Sequence, residues 1–203
     1  MELHGIVGFL DVNIYFLVNK EKSTAVVIDC GTDSRIVFDK ANELGVTIKA
    51  LLLTHAHFDH AGCGAQMQRQ GVKVYVSKDD ADKLQNDQNL AYHFGVDFDK
   101  FTPDYTFTDG EVLLLEGFEI KVLATPGHTD GSATFMVGDM LFTGDTLFNG
   151  SVGRTDFPTG STSRLSESVM RLYKLEGDYK VYPGHGDFST LSRERKYNSF
   201  YRL

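Results

Sequence analysis

Apolar residues in this chain fall into short runs, many alternating or β-branched, and most are closed by Gly, Pro, Asn or Asp. Near the start, residues 3–7, 13–18 and 25–28 are such runs, and the short polar turns between them predict antiparallel hairpins. Residues 35–44 predict a helix, with Ile36, Val37 and Leu44 on one apolar stripe and Gly45 as its stop. Residues 50–53 predict a buried strand, 62–70 a helix and 73–76 another strand, with Ser77 expected to cap a short helix after it. From 86 to 108 the pattern loosens, and Tyr92, His93, Phe94, Phe98 and Phe101 alternate with polar residues without a period. Such a connection is either a functional rim or a covering loop whose aromatics plug the core edge. Strand signals resume at 112–115, 119–124, 133–137 and 140–143. A helix follows at 163–175, a last strand at 181–182 and a basic helix at 191–201. Strands then helices, repeated once in outline, predict two packed sheets with helices outside, a four-layer αββα sandwich of the α/β class.

No linker divides the pattern, so residues 1–203 read as a single domain. The net charge of -8 comes without any basic block, which speaks against nucleic acid as a partner. No stretch approaches the roughly 20 apolar residues of a membrane span, and the N-terminus lacks a basic leader, so no membrane partner and a cytoplasmic location are expected. Two cysteines, Cys30 and Cys63, are too few for a disulfide scaffold and read as small packed thiols.

The chemistry is concentrated at strand ends. Directly after the apolar run at 50–53 come His55, His57, Asp59 and His60. His55 and His57 lie two apart and leave an extended segment on one face, while Asp59 and His60 point elsewhere, which suggests two metal sites. Four further runs end alike: one at Asp29, one at Pro-Gly-His128, one at Gly-Asp145 and one at Pro-Gly-His185. Five of the seven histidines sit at such ends, and only His4 and His93 do not. Ligands offered from strand ends stand on a rigid frame, as a metal site requires.

These motifs resemble the metal-binding signature of the metallo-β-lactamase superfamily, in its order, from Asp29 to His185. The resemblance implies the αββα fold. It implies that His55, His57 and His128 hold one divalent ion, that Asp59, His60 and His185 hold a second, and that Asp145 bridges them. Asp29 matches the acidic strand-end residue that orients a ligand, with a helix cap as the competing reading. Imidazole and carboxylate without thiolate suit Zn²⁺, or Fe or Mn. Such a site acidifies water and supports metal-assisted hydrolysis, with Asp59 and Asp145 as the catalytic carboxylates. Asp145 stands where β-lactamases of the superfamily usually carry cysteine. Gly144–Phe148 and the Gly-Arg-Thr-Asp stretch around Arg154 are similar to the glyoxalase II (hydroxyacylglutathione hydrolase) branch. That implies a small-molecule thioester such as S-lactoylglutathione, with Arg154 at the thiol half or, alternatively, in an ion pair with Asp156. From His185 the sequence runs on only to Leu203, which resembles a short form without the branch's C-terminal helical domain. Persulfide dioxygenases of the superfamily, with a single iron, share Gly-Arg-Thr-Asp and are the alternative enzyme. A non-catalytic metal-binding module is the alternative of another class. A monomer and a homodimer both fit.

Overall fold

Alternation along the third strand sets the layers. In β3 (Thr24–Ile28) every residue is buried, so both faces of the strand are covered. Ala25 and Val27 pack in one cluster with Val37 and Ala41 of α1 (Ser34–Leu44). Val26 and Ile28 pack in another with Phe135 and Phe142 of the second sheet. The computed structural model, which describes residues 1–202, builds two six-stranded sheets on this principle. The first runs β1 (Glu2–Val7), β2 (Asn13–Asn19), β3, β4 (Thr47–Leu52), β5 (Lys73–Ser77) and β6 (Tyr105–Phe107). Its first three strands pair antiparallel and the rest parallel.

The second sheet is ordered β14 (Ser189–Thr190), β13 (Lys180–Pro183), β10 (Met140–Gly144), β9 (Ala133–Val137), β8 (Phe118–Ala124) and β7 (Val112–Leu115). On its outer face α4 (Thr162–Tyr173) and α5 (Leu191–Tyr197) bury Val169, Leu172 and Leu191 against Leu141 and Val181. A hairpin of β11 (Leu147–Phe148) and β12 (Ser151–Val152) pairs with neither sheet but packs Leu147 against Leu141 and Val181 of the second. Each sheet thus buries both faces, one on its twin and one on helices. This is the αββα sandwich that the pattern predicts.

Local corrections have local causes. The expected helix at 62–70 is α3 (Gly64–Arg69), and a separate turn, α2 (Phe58–Ala61), precedes it. They break because Cys30 donates its N–H to His60 O while Cys63 donates to Cys30 O, pinning the turn to the end of β3. Ser77 does not cap the single turn at Ala81–Gln85; its hydroxyl accepts from the Asp79 N–H instead. Ile36 is 49% exposed, and Val37 with Ala41 carries the buried stripe. The last helix stops at Tyr197, because the Asn198 side chain accepts the N–H groups of Phe200 and Tyr201 and turns the chain. β6, β11, β12 and β14, at two or three residues each, are too short to show a period. No helix among the described residues is long and apolar enough to cross a membrane.

Candidate metal centre

Parallel pairing of β3 with β4 brings the ends of both strands to one edge of the first sheet, which places Asp29 beside the segment from Thr54 to His60. In the second sheet β8, β10 and β13 run in one direction, so His128, Asp145 and His185 leave the same edge. Side chains at the C-terminal ends of strands converge there, the usual place for a site in such sheets. Backbone contacts tie the two edges together: Asn13 donates its N–H to Gly184 O at 2.6 Å, and the Tyr15 hydroxyl donates to Pro183 O at 2.7 Å. The last ligand turn of the second sheet is therefore fastened to the first.

All seven sequence-predicted metal ligands come together, in three overlapping trios whose donor atoms lie within 4.8 Å of one another: His55, His57 and His128; His55, His60 and Asp145; Asp59, His60 and His185. Four donors about 2.0–2.1 Å from one ion at tetrahedral angles stand about 3.3 Å apart. The separations here bracket that value: His57 Nδ1 to His128 Nε2 is 2.9 Å and His60 Nε2 to His185 Nε2 is 3.3 Å. Asp145 reaches His60 at 3.2 Å through one oxygen and His128 at 3.4 Å through the other. Asp59 lies 3.4 Å from His185. Among the described residues, His55 Nε2 and Asp145 Oδ1 are buried without a hydrogen-bond partner. Unpaired buried polar atoms are costly, and a cation would satisfy them. The donor set fits a divalent metal.

The electrostatics agree. Burial and the neighbouring imidazoles hold His55 well below its usual value, and burial with the facing His128 takes His57 down to about 3. Both rings are neutral, the form that ligates. Around His60 burial opposes the proton, but Asp145, Asp29 and Asp59 outweigh it and push the ring well above its usual value. For Asp145 burial works upward, and His60 with His128 overrides it and holds the carboxyl low. Clustered buried carboxylates here call for positive charge.

The other nitrogens of two rings are fixed. His60 Nδ1 faces Asp29 Oδ2 at 2.9 Å and His128 Nδ1 faces the Arg154 carbonyl at 2.7 Å, which leaves each Nε2 turned toward the donors. Asp29 also accepts from the Thr54 N–H and hydroxyl, with its own backbone at a positive φ of 59°. It caps no helix; Asp33 is the residue at the start of α1. Arg154 lines the cavity over the cluster, yet its guanidinium grips Asp156 at 2.6 and 2.7 Å and lies over the Phe157 ring. That cavity, of about 240 Å³, has His57, Asp59, His128, Asp145 and His185 on its floor. Leu90 and Phe94 wall it, while Phe101 of the same loosely patterned connection is buried in the core, so the stretch is rim in one part and plug in another. His4 pairs with Glu2 and His93 is exposed, both away from the centre. Cys30 and Cys63 are free and buried.

Asp80 was not legible as part of this centre. Its buried carboxylate accepts the Ala56 N–H at 2.8 Å, between His55 and His57. It also accepts the Thr129 hydroxyl at 3.0 Å and the Gly131 N–H at 3.1 Å, just after His128. Lys83, itself buried, neutralises it at 2.8 Å. One carboxylate therefore clamps the two loops that carry the first trio. In sequence Asp80 is one of several acids in a polar turn, and only its i+3 spacing from Lys83 hints at a pair.

Comparison with known proteins points the same way. A family model described as the metallo-beta-lactamase superfamily matches residues 7–185. The hydroxyacylglutathione hydrolase GloC of Haemophilus influenzae is 36% identical over 191 residues, covering 91% of this chain and 90% of that one. The crystal structure of the BLEG-1 B3 metallo-beta-lactamase superposes with a TM-score of 0.92 at 30% identity, over 98% of this chain and 99% of that one. TTHA1623, solved in a di-iron-bound form, gives 0.87 at 34% identity over 97% and 99%.

Proposed function

This chain belongs to the metallo-β-lactamase superfamily, and on that footing we propose that it is a dinuclear metal-dependent hydrolase of thioesters of the S-lactoylglutathione class. One observation carries the reading: seven His and Asp side chains converge at ion-sized spacings on the floor of an aromatic-walled cavity. In this reading His55, His57 and His128 hold one ion, Asp59, His60 and His185 the other, and Asp145 stands between. Two divalent ions, zinc first with iron or manganese as alternatives, would supply Lewis acidity and bring the pKa of water toward neutrality.

The chain's own residues do the remaining work. Asp29 holds the Nδ1 proton of His60, and the Arg154 carbonyl that of His128, so neither ring can turn. Asp59, partly open to the cavity, would hold the second ion through Oδ2, which faces His185, and its other oxygen is left to accept a hydrogen bond from the attacking water and orient it toward the acyl carbon. Phe58, Leu90, Phe94 and Phe157 exclude bulk water, which strengthens every charge interaction inside. A departing thiolate, from a thiol of pKa about 8.5, leaves without being protonated, whereas an amine does not. Every imidazole and carboxylate on the cavity floor is a proposed ligand, so a thioester suits the site better than an amide. The likeness to GloC supports the same choice.

Likeness to BLEG-1 favours one second reading, hydrolysis of a lactam ring. A panel of thioesters, esters and β-lactams on the purified metal-loaded protein, with metal content measured in parallel, separates the two. Turnover of thioesters at least about a hundredfold above lactams, with about two ions per chain, is expected. One iron per chain with oxygen uptake on a persulfide would sink the proposal.

A further inference from the structure

A second cavity of about 490 Å³ lies behind the rim of the first. Three segments line both. Phe9 faces the second cavity and its neighbour Leu10 the first; Val96 faces the second and Phe94 the first; Phe58 faces both. The dividing wall is a row of rings, with Phe9 6.1 Å from Phe58 and Phe58 5.4 Å from Phe94. Val7, Ile36 and Phe98 line the rest of the second cavity, which opens to solvent.

Two properties of this cavity define its occupant. Its apolar side chains are left in water to an unusual degree, Val7 at 60%, Phe9 at 50% and Ile36 at 49%. Adjoining apolar residues this exposed mark a surface that something covers. The charged side chains in its wall are Asp33 and Asp97, both acidic. Arg35, in the first turn of α1, is held by Asp33. At the first cavity Arg154 is likewise held by Asp156. A carboxylate-bearing group meets repulsion here and an uncharged hydrocarbon does not.

Resting on the thioester reading above, we infer that this second cavity binds an alkyl chain of the substrate, which crosses the ring row over its exposed members, Phe9 and Phe94, from a thioester held in the first cavity. The chain comes from the acyl half or the thiol half, and the experiment has an arm for each. On metal-loaded protein, kcat/KM is measured for acyl groups from acetyl to octanoyl on one small neutral thiol. A second series pairs an acetyl group with alkyl thiols of the same lengths. A rise of about twofold per methylene in one series is expected, below the roughly fourfold of a fully buried CH₂ because the cavity is open. In Ile36→Glu and Val7→Glu, both at exposed positions, the slope of that series should collapse toward one. Binding of uncleavable S-methyl and S-octyl thioethers to the same proteins, followed by NMR, gives a readout independent of turnover. Absence of turnover with preferential, Ile36-sensitive octyl binding would remove the hydrolase reading and leave the cavity assignment standing. Flat series with equal binding of both thioethers would overturn the assignment.

Discussion

At the scale of single residues, the centre depends on carboxylates that play distinct parts. Asp145 touches both trios through separate oxygens. Asp145→Ala should therefore lose both ions and turnover together; a variant that still binds two equivalents by metal analysis would refute its bridging place. Asp80 touches no donor atom, yet it fixes the backbone on either side of two ligand loops. Asp80→Ala removes the more buried of the two carboxylates that hold Lys83, leaving Asp130 alone, and strands the Ala56 and Gly131 N–H groups. A loss of about 3–5 kcal/mol in urea unfolding is expected, as for breaking a buried pair. Adding Lys83→Met should recover part of it, and no recovery would mean that the charge balance is irrelevant. The contrast between these residues explains what sequence reading reaches. His55, His57, Asp59 and His60 announce themselves by density, and His128 and His185 by their repeated Pro-Gly turns. Asp80 serves through backbone N–H groups brought from 24 and 51 positions away, and nothing local marks that.

At the scale of elements, strands and their end turns carry the design. Runs with both faces buried, such as β2, β3 and β10, were legible because their apolar content is nearly continuous. The break between α2 and α3 was not, since it is imposed by hydrogen bonds to Cys30 rather than by a residue that stops helices. The turn after β13 shows how tight the end turns are. A Cβ on Gly184 would meet Asp145 Oδ1 and come within 2.7 Å of His60 Cε1, so only glycine lets the donors close up there. Gly184→Ala should weaken binding at the Asp59, His60 and His185 trio about 10- to 100-fold while leaving the fold intact. Titration with Co²⁺, read by its absorption bands, checks this; unchanged affinity for the second equivalent would show that the turn has slack.

At the scale of the whole molecule, ion pairs and caps far from the centre set the acid limit. Asp104, Asp109 and Asp178 are each pushed upward by burial. Each nevertheless ends below the usual carboxylate value, through Lys73 and Gln68, Arg171, and the Ser192 N–H and hydroxyl respectively. Carboxyls depressed by folding add stability above the unfolded value of about 3.9 and lose it as pH falls through the folded one. The gap in Tm between the protein and its Asp104→Asn, Asp109→Asn, Asp178→Asn variant should be widest near pH 6 and close below about pH 3. A gap independent of pH would deny these groups their role. The layered fold itself was readable from alternation, but the second cavity was not, because its walls come from four separated segments.

The seven donors are divided between the sheets, four on the first and three on the second. An ion gripped from both sides would be a clasp across the sandwich, resisting the parting of the layers until it is released. The lifetime of the folded chain would then be linked to metal supply: a ligand that binds only the folded state stabilises it, so chelation should make the protein open more often and yield sooner to added protease.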